Sequence, residues 1–63
     1  MRLIDFDRHL KTRGCSIIRQ GGNHTIYFNP ENRKTTAVPR HREIKNVLVK
    51  AICKQLEIAS PFN

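Results

Sequence analysis

The apolar positions near the start of the chain recur with the spacing of a helix. Leu3, Phe6 and Leu10 follow one another along one side of a helical turn pattern, and most positions between them are charged. This spacing predicts a helix over residues 3–13 with a single apolar face. Gly14 then favours the left-handed backbone conformation that commonly ends a helix.

The following segment has the composition and punctuation of short β-strands. Runs rich in β-branched and aromatic side chains predict three strands, at residues 15–20, 24–28 and 34–38. The pair Gly21-Gly22 permits a tight turn with positive φ between the first two strands. The run Asn29-Pro30-Glu31-Asn32 is typical of a second turn. Connections this short favour an antiparallel meander.

Helical periodicity returns in the last third of the chain and predicts a second helix over residues 43–57. The apolar positions of this pattern are Ile44, Val47, Leu48, Ala51, Ile52 and Leu56. Lysines occupy much of the other side. The tail, residues 59–63, is expected to be loose.

The order α-β-β-β-α predicts an α+β fold. At this length, the compact arrangement is a three-stranded antiparallel sheet with two helices on one face, which is also the layout of the double-stranded-RNA-binding domain. We expect a single domain over residues 1–63, with its core at about residues 3–58. Small domains bury a modest fraction of their surface, so a deep cofactor cavity is not expected.

Charge changes the picture more than any other bulk property. Lys and Arg number 12 against 5 Asp and Glu, which gives a net charge of +7 and a pI near 10.3. This excess attracts a polyanion. No apolar run approaches the roughly 20 residues of a membrane-spanning helix, and residues 1–5 lack the apolar region of a secretory signal. We therefore expect a cytoplasmic protein that binds nucleic acid rather than membrane.

The cysteines and histidines form no pattern typical of a disulfide framework, a redox motif or a metal site. Cys15 and Cys53 stand far apart and outside any CxxC spacing, so we interpret them as half-buried hydrophobic residues of a protein in a reducing compartment. His9, His24 and His41 share no metal-ligand spacing, and no metal site is predicted. His9, on the polar side of the first helix, is interpreted as a surface residue.

The strongest candidate for chemistry is the segment Arg19–His24. Its glycines allow close approach of a backbone, and their N–H groups suit an anion such as phosphate. Histidine changes charge near neutral pH, so His24 can accept a proton from a ribose 2′-hydroxyl or return one to a leaving oxygen. The same pattern also fits an ordinary surface histidine of a hairpin, and spacing alone leaves both interpretations open.

A second basic segment follows the third strand. His41 lies between Arg40 and Arg42, at the predicted entrance of the second helix, where it suits phosphate binding or a second proton transfer. A histidine that packs or caps in a loop is the other interpretation. Tyr27 and Phe28 point to opposite faces of the predicted sheet, so one of them belongs to the core and the other is available to stack on a base.

Taken together in order, these segments resemble the HicA toxin family. The residues that carry the resemblance are Gly14-Cys15, Arg19-Gln20-Gly21-Gly22-Asn23-His24, Asn29-Pro30-Glu31-Asn32, Val38-Pro39-Arg40-His41-Arg42-Glu43-Ile44 and Ala51-Ile52-Cys53-Lys54-Gln55-Leu56. The resemblance covers residues 3–58. It implies a small mRNA interferase with a double-stranded-RNA-binding-like fold, paired with a HicB-type antitoxin that covers its active site.

Carried over to this chain, the resemblance makes His24 the catalytic histidine and Gly22 a part of its motif. Relatives commonly have Ser before this histidine, whereas this chain has Asn23, which retains a polar side chain. We therefore expect a cofactor-free and metal-independent endoribonuclease acting on mRNA. A non-catalytic RNA-binding module on the same basic surface is the alternative. The expected RNA-binding residues are Arg19, Gly22, Asn23, Arg40, His41 and Lys45.

Overall fold

A computed structural model describes residues 1–62 of the chain. Its elements are α1 (Leu3–Thr12), β1 (Ser16–Gly21), β2 (His24–Asn29), β3 (Lys34–Pro39) and α2 (Asn46–Leu56). The strands form one antiparallel sheet in the order β1-β2-β3, with β2 in the centre. The predicted α+β fold with α-β-β-β-α order is confirmed.

Gly14 ends α1 as the sequence predicts. Its φ is +89°, a backbone conformation that residues with a Cβ rarely adopt. The N–H of Gly14 donates to the carbonyl of Lys11 and the N–H of Cys15 donates to that of Leu10, each at 3.0 Å. These two bonds form a Schellman motif, which satisfies carbonyls at the helix end and turns the chain into β1.

Two short turns connect the strands. Gly21 pairs with His24, so Gly22 and Asn23 alone form the first turn, and Gly22 has a φ of +51°. Positive φ at the first central residue is the mark of a type II′ turn, whose twist matches that of a hairpin. The second turn closes with an N–H···O bond of 2.7 Å from Arg33 to Asn29.

The hydrophobic core lies between the sheet and both helices. Its buried residues are Phe6, Leu10, Cys15, Tyr27, Val38, Ile44, Val49, Ile52, Cys53 and Leu56. Side chains of α1 and α2 thus share one cluster with one set of alternate strand residues, which places both helices on the same face of the sheet. Neither helix within residues 1–62 has the length and apolar character needed to cross a lipid bilayer.

The second helix begins at Asn46, three residues later than predicted. The preceding segment is extended because it pairs with the start of the chain: Glu43 forms an antiparallel bridge with Arg2. The N–H of Ile44 donates to the carbonyl of Met1 at 2.7 Å, and the N–H of Leu3 donates to that of Arg42 at 2.9 Å. Backbone groups that would have formed the first helical turn find partners in this pairing.

The buried side of α2 also differs from the predicted one. Val47 is 81% exposed and Leu48 and Ala51 are exposed as well, whereas Val49 and Cys53 join the core. The helix carries apolar residues on more than one side, so its periodicity alone does not define the buried side.

Two predictions about the surface were wrong. His9 is half-buried, and its Nε2 lies 2.7 Å from the carbonyl oxygen of Ala59. In the tail, Ala59 is exposed, but Ser60 and Pro61 are half-buried and Phe62 packs against the core. Asn63, the last residue of the predicted loose tail, lies outside the described residues.

Both cysteines are buried members of the core and form no disulfide. Burial raises the pKa of both thiols, and the neighbouring Cys15 raises that of Cys53 further. A thiol whose pKa is raised is largely protonated at neutral pH and is a weak nucleophile. The cysteines therefore serve packing, as small hydrophobic residues do.

Candidate functional site

His24 lies on the face of the sheet that the helices leave uncovered. It is the first residue of β2 and is exposed, whereas Thr25, Tyr27 and Asn29 of the same strand are buried beneath the helices. Side chains alternate between the two faces of a strand, so His24, Ile26 and Phe28 share the opposite, open face. The sequence predicts that one of Tyr27 and Phe28 belongs to the core. The structure shows that this residue is Tyr27, whereas Phe28 lies on the open face.

A depression of about 310 Å³ surrounds His24 on the open face. Its lining residues are Arg19, Gly21, Gly22, His24 and Ile26. We call it the His24 depression. Gly21 lies directly opposite His24 on β1, and Arg19 lies opposite Ile26. A cation and an imidazole thus border one recess beside a glycine turn.

Arg19 reaches this face because β1 contains a bulge. Ile17 pairs with Tyr27 but Arg19 pairs with Ile26, so Ile18 has no partner in the register. In a regular strand Arg19 would share the face of Ile17, which packs towards the core. The extra residue shifts the alternation and brings Arg19 to the side of His24, a common use of β-bulges.

The two glycines of the site serve different ends. A Cβ built on either Gly21 or Gly22 meets no atom within 4 Å. Glycine is favoured at position 22 because the backbone there has a positive φ, whereas the φ of Gly21 is accessible to other residues. Gly21 instead leaves space beside His24 empty, because a side chain at this position would lie on the open face.

The imidazole of His24 makes no hydrogen bond with any residue of the described chain, 1–62. His9 differs, since its ring nitrogen bonds to the carbonyl of Ala59 at 2.7 Å. A histidine that is exposed, and whose nitrogens are not engaged by the protein, retains its capacity to exchange protons with a ligand.

The residues predicted to bind RNA fall into two groups. Arg19 and Gly22 line the His24 depression together with His24, the predicted catalytic residue. Gly21 belongs to the candidate segment Arg19–His24, and Ile26 is the lining residue that the sequence did not indicate. The sequence gives only a weak indication of the bulge at Ile18: the adjacent apolar residues Ile17 and Ile18 interrupt the alternation of apolar and polar residues along the strand.

Of the remaining predicted residues, Asn23 lies in the turn beside Gly22, whereas Arg40, His41 and Lys45 lie in the segment that follows β3. Asn23, in the turn, accepts a 2.8 Å hydrogen bond at its carbonyl from the N–H of Arg40. His41 and Lys45 are exposed and line neither cavity. His41 was expected at the entrance of α2, but the helix begins only at Asn46, so His41 lies in the connecting segment.

A larger groove lies on the opposite side of the sheet, against α1. It measures about 610 Å³ and does not include His24; Arg2, Arg40 and Arg42 are among its lining residues. Its interior contains a hydrogen-bonded group in which Tyr27 donates to Asp7 at 2.6 Å. Lys11 forms an ion pair with the same carboxylate at 3.1 Å.

These contacts fix the charge states of the group. Burial raises the pKa of Tyr27 far above its usual value, and the hydrogen bond and negative charge of Asp7 raise it further. Burial alone would raise the pKa of Asp7 as well, but the hydrogen bond from Tyr27 and the interaction with Lys11 outweigh it and lower that pKa. Asp7 is thus a charged acceptor and Tyr27 a neutral donor, a structural arrangement rather than an acid–base pair.

The acidic residues lie outside the strands that form the open face. No Asp or Glu occurs in the three strands. Within residues 1–62, each carboxylate except that of Glu31 belongs to an ion pair. The cations without a carboxylate partner in this range are Arg13, Arg19, Arg33, Arg40, Arg42, Lys45, Lys50 and Lys54. No three His, Cys, Asp or Glu side chains of the same range are grouped so as to hold a metal ion.

Comparison with known proteins assigns the family. The family model described as the HicA toxin of bacterial toxin-antitoxin matches residues 5–58, which is most of the chain and includes every residue of the His24 depression. Searches of curated proteins and of solved structures returned no match. The matched range spans all three strands, α2 and most of α1, and we conclude that the chain belongs to the HicA family of bacterial toxins.

Proposed function

We propose that this HicA-family toxin is an mRNA endoribonuclease that uses His24 for acid–base catalysis and requires no metal ion. The observation that carries the proposal is the position of His24. Its imidazole is exposed and makes no hydrogen bond within residues 1–62, and it borders a depression with Arg19 and a glycine turn. A phosphodiester placed there meets a proton carrier and a cation together.

RNA supplies the nucleophile for this reaction. The ribose 2′-oxygen bonds to the adjacent phosphorus while the bond from phosphorus to the 5′-oxygen of the next nucleotide breaks. A base accepts the proton of the 2′-hydroxyl, and an acid delivers a proton to the departing 5′-oxygen. The products are a strand that ends in a 2′,3′-cyclic phosphate and a strand that begins with a 5′-hydroxyl. The balance needs no oxidant, metal or cofactor.

In this proposal His24 performs one of the two proton transfers. Arg19, which shares the depression, holds the phosphate and stabilises the charge that develops on it. The backbone N–H groups of the glycine turn assist, as donors in turns commonly do for anions.

The second transfer falls to another group or to water. The backbone N–H of Arg40 donates a hydrogen bond to the carbonyl of Asn23, the residue next to His24. His41 follows Arg40 directly, so it is the first residue to test for this role. We assign Lys45 and the side chain of Arg40 to the wider surface that attracts RNA.

Family membership implies an antitoxin partner. We propose that this partner is a HicB-type protein that covers the His24 depression. Occlusion of this depression would stop cleavage because the phosphate could no longer reach His24. Binding by the antitoxin would then depend on the open face of the sheet and not on the catalytic competence of the imidazole.

The test is RNA cleavage by the purified protein in EDTA, with His24→Ala as the variant and His9→Ala as the matched control. We expect His24→Ala to slow cleavage by about 10²- to 10⁴-fold, the usual contribution of general acid–base catalysis. Its unfolding free energy should stay within about 0.5 kcal/mol of wild type, as for surface substitutions. His9→Ala removes the bond to Ala59, so it should lower stability and leave cleavage by the folded protein intact.

A second substrate isolates the chemistry. RNA with a single 2′-deoxyribose at the cleaved nucleotide lacks the nucleophile and should remain intact at that position. Cleavage of this substrate at the same bond, or wild-type activity in His24→Ala, would contradict the mechanism. Binding of RNA without any cleavage would favour the alternative, a non-catalytic RNA-binding module, which the abundance of cations without carboxylate partners also supports.

A further inference from the structure

The open face of the sheet carries an aromatic residue that neither the core nor the proposed catalytic site uses. Phe28 is half-buried and lies on the face opposite the core cluster, on the same strand and the same side as His24. Its cross-strand neighbours are Ser16 and Thr35, both small and exposed. Such neighbours leave the ring accessible to a flat partner.

The rest of this face suits a nucleic-acid strand. Ile26 lies between His24 and Phe28 on the open face, flanked by Arg19 and by Ala37. No carboxylate lies on any of the three strands, so phosphates meet no like charge there. An accessible aromatic beside apolar side chains and a cation is the combination that holds unpaired bases on a sheet.

We propose that Phe28 forms a nucleobase subsite, where the ring stacks on an unpaired base of the RNA whose backbone enters the His24 depression. The proposal rests on the function proposed above and extends it, because it assigns a base-binding residue and implies that the bound RNA runs along β2 from His24 to Phe28. Bases in a duplex present only their edges, so the subsite accepts single-stranded RNA and excludes paired RNA.

Strand geometry limits where this base lies relative to the cleaved bond. Successive residues of a strand rise about 3.3 Å, so Phe28 lies about 13 Å from His24 along β2. Stacked nucleotides advance about 3.4 Å each and extended ones further. The stacked base is therefore within about four nucleotides of the phosphate at His24.

The experiment measures binding of short single-stranded RNA to protein carrying His24→Ala, which separates binding from cleavage. We expect Phe28→Ala in this background to weaken binding by about five- to 150-fold, the range measured for loss of one stacked base. Phe28→Trp should bind at least as tightly as Phe28, and Phe28→Leu should resemble Phe28→Ala, since leucine retains apolar volume but no flat ring. Val47→Ala, an apolar truncation at a strongly exposed position of α2 away from the sheet, is the control and should change nothing.

Abasic RNA identifies the partner of the ring. Removal of the base at one position, within four nucleotides of the cleaved bond, should weaken binding as much as Phe28→Ala, and the two changes together should have no further effect. Duplex RNA should bind equally to both proteins. Thermal melting of each variant separates a loss of contact from a loss of folding, and Phe28→Trp tests the subsite in a protein that retains an aromatic ring.

Three outcomes would overturn the subsite. The first is that Phe28→Ala binds single-stranded RNA as tightly as protein with Phe28, and the second is that it loses equal affinity for single-stranded and duplex RNA. The third is that the losses caused by Phe28→Ala and by base removal add at every abasic position. Loss of antitoxin affinity in Phe28→Ala with unchanged RNA binding would assign this face to the protein partner instead. Failure of the proposed function has a different signature. In that case wild-type protein leaves RNA intact in EDTA while binding still depends on Phe28.

Discussion

The two faces of the sheet differ in how fully their polar side chains are paired. On the helix-covered face, Tyr27, Asn29 and Thr36 donate to the side chain of Asp7, the carbonyl of Leu56 and the side chain of Gln55, respectively. No buried side-chain nitrogen or oxygen in the described part of the chain lacks a partner. On the open face, His24 and Arg19 have no hydrogen-bond or ion-pair partner within residues 1–62.

The difference follows from burial. A buried polar group without a partner costs about 1–3 kcal/mol, a large share of the stability of so small a domain, so the covered face must be satisfied by the protein itself. Water satisfies the groups of the open face at no such cost, and a ligand can replace that water. We therefore expect substitutions on the covered face to change stability and those on the open face to change activity.

The largest effect expected on the covered face is that of Phe6→Ala. Phe6 is fully buried in the core. Truncation of such a phenylalanine to alanine should lower the unfolding free energy by about 3–5 kcal/mol. A domain of 63 residues has a total stability of about 3–9 kcal/mol. Urea unfolding followed by circular dichroism should therefore show a protein that is unfolded or close to it. A wild-type unfolding midpoint would contradict the assignment of Phe6 to the core.

The sharpest test of the open face is Gly21→Val. The added side chain meets no protein atom at its Cβ, so we expect the unfolding free energy to remain within about 0.5 kcal/mol of wild type. The same side chain occupies the space beside His24, and displacement of a substrate by about 1 Å can cost about 10²-fold in rate. Cleavage of RNA under single-turnover conditions measures this loss.

The neighbouring glycine is the matched control for Gly21→Val. Gly22 has a φ of +51°, so Gly22→Val should lower the unfolding free energy by about 1–2 kcal/mol through backbone strain. Full activity in Gly21→Val, or equal destabilisation by the two substitutions, would remove the distinction between a glycine needed for space and one needed for conformation.

Asn29→Ala tests polar pairing on the covered face. The buried amide of Asn29 donates to the carbonyl of Leu56 at 2.9 Å and accepts the N–H of Glu31 at 3.1 Å. Its loss should cost about 1–3 kcal/mol in unfolding free energy, with RNA cleavage by the folded fraction unchanged. Ser16→Ala, on the open face, should cost less than about 0.5 kcal/mol. Similar costs for the two variants would mean that burial does not separate the faces.

The smallest effect expected is that of Asp7→Asn, and it depends on pH. The folded pKa of Asp7 lies below its ordinary value of 3.8. The charged carboxylate therefore stabilises the fold above pH 4, and this contribution is lost as the pH falls through the folded pKa. Asparagine can still accept from Tyr27, so at neutral pH we expect a loss of about 0.3–0.5 kcal/mol from the exposed pair with Lys11.

Thermal melting over a range of pH measures this contribution. The curves of wild type and Asp7→Asn should differ near neutrality and converge in acid, where the wild-type carboxylate becomes protonated. A difference that persists unchanged at pH 2 would show that the charge of Asp7 contributes nothing to stability.

Local signals predicted most of the elements and the hairpin at the site. Gly14 and Gly22 are glycines at positions where the chain adopts positive φ, and such positions have a direct residue preference. The resemblance to HicA toxins, confirmed by the family match, singled out His24 among three histidines. The turns and strand starts depend on neighbours in the sequence, so the sequence is sufficient to find them, whereas the catalytic role of His24 stays a prediction.

Features that depend on distant contacts were missed. The start of α2 depends on pairing between Glu43 and Arg2, and the role of His9 depends on a carbonyl fifty positions away. The bulge at Ile18 depends on the register of two strands. Each is a choice between alternatives of similar local energy, and the partner that decides it lies elsewhere in the chain.

The sequence by itself determined the order of the elements, the glycine turn and the position of His24 at the start of a strand, because each follows from local backbone preferences. Only the tertiary structure decided which face of the sheet the helices would cover. That choice buried Tyr27, exposed Phe28 and, through the bulge, brought Arg19 to the side of His24. A strand presents two faces with alternating side chains, and the packing of the helices determines which of them becomes core and which stays accessible to a ligand.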